Sequence, residues 1–95
     1  MRFEWDEQKN QSNILKNGVD FIDCKEMFFN GALRQYIDDR KNYGEVRYTA
    51  YGYVNNRLMN VVFTERKLNI IRIISFRKAN HREVVRYEKI KNRLG

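Results

Sequence analysis

The sequence predicts an α+β fold: an antiparallel β-sheet of four to five strands, with two N-terminal helices and one C-terminal helix packed on it. Two observations carry this. Apolar residues recur at helical spacing through Phe29, and from Leu33 onward they alternate with a period of two. Short polar connections between the alternating stretches then require antiparallel neighbours. A third observation is the return of a helical period after Asn80, where Val84, Tyr87, Ile90 and Leu94 share one side.

The elements follow in order. Arg2–Trp5 alternates polar and aromatic residues and predicts a short strand with Phe3 and Trp5 on one side. Asp6 is an N-cap, and the polar helix after it stops at Asn17-Gly18, a left-handed stop signal. Ile14 and Leu15 are its only apolar residues, so they are expected to pin it. Asp20 caps a second helix, in which Phe21, Cys24 and Phe28 share a face and Ile22 and Phe29 widen the apolar arc; Asn30-Gly31 ends it. Cys24 in that row is a small core residue. Strands follow at Leu33–Ile37, Val46–Val54, Arg57–Thr64 and Ile70–Arg77, separated by the polar loop Asp38–Gly44, the turn Asn55-Asn56 and the loop Glu65–Asn69. Alternation in the last strand sets Ile71 and Ile73 against Ile70, Ile74 and Phe76, so both sheet faces are expected to be covered, one by the N-terminal helices and one by the C-terminal helix. Asn80 with Glu83 three residues on forms a capping box for that helix, whose other side carries Arg82, Arg86, Lys89 and Arg93.

Composition narrows the function. Of 95 residues, 42% are hydrophobic and 14% aromatic, which suits one small core and not a disordered tail. Pro is absent and only five Gly occur, excluding collagen-like and linker classes. Apolar runs fall far short of the ~20 residues that span a bilayer, and the opening MRFEWDEQKN lacks the apolar stretch of a secretory signal. Cys24 is alone, and no Cys/His cluster is spaced for zinc. The expectation is a single cytoplasmic domain over residues 1–95 without metal or cofactor. Net charge is +7, but residues 1–65 are nearly balanced, while residues 66–95 hold ten basic and two acidic side chains. A cationic last third attracts polyanions, RNA and DNA first and an acidic protein second.

Several fragments, taken in order, resemble one family. They are Phe3-Glu4-Trp5-Asp6 with Lys9 and Asn13, Lys16 to Phe21, Gly44-Glu45-Val46-Arg47, Val61 to Arg66, and Ile71 to Ala79 continuing through Arg82-Glu83 to Tyr87-Glu88. Together they resemble BrnT-type toxins of bacterial type II toxin–antitoxin systems. The chain departs from the family pattern at Asn17, where His is common, and at Phe76, where a small residue is usual. The resemblance implies a RelE-like fold and a ribonuclease that cuts RNA to halt translation. It also implies a cognate BrnA-type antitoxin with its own DNA-binding portion, forming a heterotetramer that reaches operator DNA only through the antitoxin.

RNA carries its own nucleophile, so a ribonuclease without a metal must align the 2′-hydroxyl with phosphorus, stabilise the added negative charge and move two protons. Arginine suits the charge and cannot serve as a base. Arg66 and Arg77, each at a strand end, are the candidate forks for the phosphate. His81 and Glu65 are the candidates for proton transfer, and Arg47, Arg72, Lys78, Arg82, Arg86 and Tyr87 are candidate RNA contacts. Each has an ordinary alternative: His81 as a surface residue of a first helical turn, Glu65 as a solvated hairpin carboxylate, Tyr87 as core. Glu83 is explained by capping or by pairing with an arginine. The alternative functions are a nucleic-acid-binding module that does not cut and an inactive relative that only pairs with an antitoxin.

Overall fold

The computed structural model describes residues 1–29, 34–38 and 44–94. Its elements are β1 (Arg2–Glu4), α1 (Glu7–Asn17), a 3₁₀ turn (Phe21–Cys24) running into α2 (Lys25–Phe29), β2 (Arg34–Asp38), β3 (Arg47–Val54), β4 (Arg57–Arg66), β5 (Ile70–Lys78) and α3 (His81–Leu94). The expected Asn30-Gly31 stop, Leu33 and the loop from Asp39 to Tyr43 lie outside the described residues.

One five-stranded sheet runs β1-β5-β4-β3-β2. The β2–β3, β3–β4 and β4–β5 pairs are antiparallel, but β1 lies parallel to β5, making the sheet mixed. The chain reaches β5 from β1 only after the intervening helices and strands, so no hairpin dictates the direction of that pair. Asn55 and Asn56 both take positive φ, as a two-residue hairpin turn requires. The β4–β5 turn is tighter than expected: pairing continues to Arg66–Ile70, and Leu68 and Asn69 supply the left-handed backbone.

Helix α1 begins where Asp6 accepts from the Gln8 and Lys9 N–H groups and ends at Gly18 in the left-handed region, φ 74°, whose N–H donates to the Ile14 carbonyl. The expectation that Ile14 and Leu15 pin it is wrong. Leu15 is 89% exposed, while Asn10 and Asn13 are buried. Asn13 donates to the carbonyls of Val19 (3.1 Å) and Phe76 (2.8 Å) and accepts from the Phe76 N–H and from Asn17. Asn10 accepts from the Phe21 N–H and donates to Asp20. A polar ladder therefore fastens this helix to β5, each buried amide satisfied.

The face under α1 and α2 holds the main core: Phe21, Cys24, Met27, Ala50, Met59, Val61, Phe63, Ile71, Ile73 and Phe76, all nearly inaccessible. Phe28 is partly buried there, against Phe63, but Ile22 and Phe29 point to solvent because the 3₁₀ turn shifts the angular register of the segment. Phe76 shares this face with Ile71 and Ile73, contrary to strict alternation. The register passes from Phe63–Ile73 to Val62–Ser75, so Ile74 is an extra residue and the parity of β5 inverts across it. Without that bulge Arg77 would point into the core.

Candidate functional site

On the opposite face, α3 covers one end of the sheet. Leu58, Ala79 and Tyr87 are buried there, with Tyr51, Tyr53 and Val84 packed against them. Tyr53 and Tyr87 meet edge to face, and the Tyr53 hydroxyl donates to Glu88, which pushes the phenol up to about 12. Beyond the helix edge the face stays open. Cross-strand register sets Arg77 beside Asn60 and Asn60 beside Tyr51, and in the next row Ser75, Val62, Thr49 and Tyr36.

Only Ala79 and Asn80 separate β5 from α3, and the Ala79 N–H donates to the Leu58 carbonyl, so the helix starts directly over the strand end. This brings Glu83 onto Arg77. Arg77 Nη1 donates to Glu83 Oε1 (2.7 Å) and Nη2 to Oε2 (2.9 Å), a bidentate pair. The same carboxylate accepts from the Tyr51 hydroxyl (2.7 Å) and the Asn80 N–H (2.9 Å), while Asn80 Oδ1 accepts from the Glu83 N–H. The capping box and the arginine partner thus coincide in one residue. The Arg77 guanidinium, with help from Tyr51 and the Asn80 N–H, pulls the Glu83 carboxyl down to about 2 against the opposing effect of burial. Burial and the adjacent Glu83 carboxylate raise Tyr51. Near neutrality Glu83 is a fixed anion, and Tyr51 keeps its proton.

Two hollows share the walls Thr49, Tyr51 and Glu83. One, about 280 Å³, is closed by Tyr36, Arg86, Tyr87 and Ile90; the other, about 320 Å³, by Asp38, Asn60, Val62, Ser75 and Arg77. Together they form a groove along the inner edge of α3. Arg86 lies at its mouth, about 60° from Glu83 around the helix. Its side chain is exposed and has no ion-pair partner among the described residues. Arg82, Lys89 and Arg93 continue the cationic stripe outward from it.

The structure does not bring together all the residues singled out in the sequence. Arg77, Arg86 and Tyr87 meet at the groove, Tyr87 as a buried wall. Arg66 pairs with Ile70 while Arg77 pairs with Asn60, six residues apart on β4 and therefore about 20 Å. Among the described residues, the hollow at Arg77 does not include Arg66 and the hollow at Arg66 does not include Arg77, and the idea that these two forks grip one phosphate fails on register alone. Glu65 pairs with Ile71 and so projects toward the face under α2, lining a hollow with Phe28, Phe63 and Arg66. His81, exposed at the start of α3, lies about 160° from Glu83 around the helix, away from the groove. Lys78 is exposed and next to Arg77, which donates to its carbonyl. Arg47 and Arg72 face the groove side but sit farther up the sheet, engaged with Glu45 and Glu4 respectively. Tyr36, Thr49, Tyr51 and Asn60 were missed. Alternation alone put Thr49 and Tyr51 on one face with Arg47, but only the register beside β4 and β2 revealed the groove.

A small mixed sheet backed by two N-terminal helices, with a guanidinium-lined groove under its last helix, defines a compact domain that offers cationic side chains to a polyanion, and comparison with known proteins narrows the class. The family described as ribonuclease toxin, BrnT, of type II toxin–antitoxin systems matches residues 5–83, and the chain belongs to it. The crystal structure of the Brucella abortus ribonuclease toxin BrnT is similar to it, with 31% sequence identity and a TM-score of 0.66 over 85% of this chain and 99% of that one. Among curated proteins none matches the sequence. No described helix is long and apolar enough to cross a membrane.

Proposed function

We propose that the protein is a metal-independent RNA endonuclease that inhibits translation, and that its catalytic groove lies between α3 and the sheet. The observation that carries the reading is that Arg77, locked in a bidentate pair with Glu83, and Arg86, with no ion-pair partner among the described residues, line two adjoining hollows that share the walls Thr49, Tyr51 and Glu83. In this reading Arg86 engages the scissile phosphate directly, and Arg77 contributes positive charge from a side chain whose position Glu83 and Tyr51 hold. The 2′-oxygen attacks phosphorus and the 5′-oxygen leaves, producing a 2′,3′-cyclic phosphate; one proton passes from the 2′-hydroxyl to water and one from water to the leaving oxygen. Glu83 is held too acidic to be the base, so alignment and charge stabilisation supply the acceleration. A slow, controllable rate suits a toxin. A cognate antitoxin with its own DNA-binding portion covers the groove and neutralises the activity.

The test is incubation of purified protein with RNA in EDTA. New fragments ending in cyclic phosphate are expected. A mobility shift with intact RNA would instead identify a binding module. Co-purification of a small protein encoded by the adjacent gene, with loss of cleavage in the complex, is the expected sign of the antitoxin.

A further inference from the structure

We propose that the hollow between β2, β3 and α3 receives a single nucleobase of the RNA strand, stacked against Tyr36 and Tyr51, with the adjoining phosphate at Arg86. This rests on the ribonuclease reading above and assigns the part of the groove that reading leaves unused.

Three features point to a base. Tyr36 and Tyr51 meet at 70° with centroids 6.4 Å apart, forming a corner where a planar ring can lie flat on one aromatic while its edge meets the other. Tyr36 is 45% exposed on the outermost strand of the sheet, a place where proteins usually put charge to blunt the edge. Its ring belongs to neither buried cluster. Across the hollow, Ile90 and Tyr87 make an apolar wall, and Thr49, whose Oγ1 accepts from Asn60, still has a hydroxyl proton to donate. The mouth favours nucleic acid over an apolar side chain of a protein. Arg86 stands there with Arg82, Lys89 and Arg93 beyond it, and the only carboxylate lining this hollow among the described residues, Glu83, already accepts four hydrogen bonds. An RNA strand places one phosphate beside every base, so a stacked base carries its charge to Arg86.

The experiment uses two non-cleavable probes, a fluorescent RNA oligonucleotide 2′-O-methylated throughout and an inorganic polyphosphate of equal charge. Tyr36→Ala should weaken oligonucleotide binding about tenfold, the loss of one stacked base. It should leave polyphosphate binding unchanged, and Tyr36→Phe should restore the oligonucleotide affinity. Arg86→Ala should weaken both probes. Equal oligonucleotide affinity for wild type and Tyr36→Ala, or a parallel loss on both probes, would overturn the base subsite. If Tyr36→Ala instead spares the oligonucleotide and abolishes antitoxin binding, the hollow serves the protein partner and the proposal is wrong. Cleavage of unmodified RNA by the wild type, run alongside, reports on the nuclease reading separately. Tyr36 lies on an edge strand and is largely solvated, and a thermal melt verifies that each variant is folded.

Discussion

Phe63 and Phe76 on one face of the sheet are inaccessible to solvent, while on the other face their strand neighbours Ser75 and Arg77 stay partly exposed beside a groove. The two faces are made by alternate residues of the same strands, yet they are held by different means. Beneath α1 and α2, apolar side chains fill the space and buried asparagines tie helix to strand. Beneath α3 the apolar cluster among the described residues is small, Leu58, Ala79 and Tyr87, and a carboxylate with four hydrogen bonds does much of the fastening. Packing beneath α1 and α2 confines open space to the edges of that face, as at the hollow beside Glu65, whereas a face fastened at a few polar points leaves space under the helix itself. This difference is why the proposed site is placed under α3.

The comparison can be broken first where it is strongest. Phe63→Ala should lower unfolding stability by about 3–5 kcal/mol, because it empties volume that nothing else can fill; urea denaturation measures it, and a cost under about 1 kcal/mol would mean the closed face is not the packed one. On the open face, Arg77→Ala should lower RNA cleavage about 100- to 1,000-fold with cooperative unfolding retained. It removes positive charge and leaves the Glu83 carboxylate facing the phosphate. Unchanged cleavage would remove the groove from consideration. Asn13→Ala should cost about 2 kcal/mol through the unpaired Phe76 peptide, while Leu15→Ser, on the same helix, should stay within about 0.5 kcal/mol. If the leucine mattered more than the asparagine, the polar ladder would not be what holds α1.

A pH titration sharpens the contrast further. The folded carboxyl of Glu83 sits at about 2 against an ordinary 4.5, so the unfolded chain takes up that proton first as pH falls. Its contribution is complete above about pH 4.5 and fades as pH drops toward 2. Glu83→Gln should therefore be less stable than wild type at pH 6, with the gap closing across that window. A gap independent of pH would show that the ion pair adds nothing specific to the ionised form.

Much of the fold was legible in the chain. Caps at Asp6 and Asn80, the Gly18 stop and the Asn55-Asn56 turn are local signals, decided by hydrogen bonds and φ preferences within a few residues. The cationic side of α3 was legible too, since helical geometry alone places Arg82, Arg86, Lys89 and Arg93 together. The candidate site was legible only in pieces. Arg77 and Arg86 line the proposed groove, but Arg66, Glu65 and His81, grouped with them, do not, because sequence proximity to a strand or helix end says nothing about which end or face is meant.

What the amino-acid order settled by itself is therefore local: where elements begin, which side of each is apolar, and where charge accumulates. What tertiary structure decided is which of those sides meet. The bulge at Ile74 turned Phe76 inward and Arg77 outward, the register of β3 against β4 brought Tyr51 beside Asn60, and a two-residue connection laid Glu83 on Arg77. Pairing across strands depends on contacts between residues far apart in the chain, which no local pattern encodes. A shift of a single position sends every later side chain to the other face.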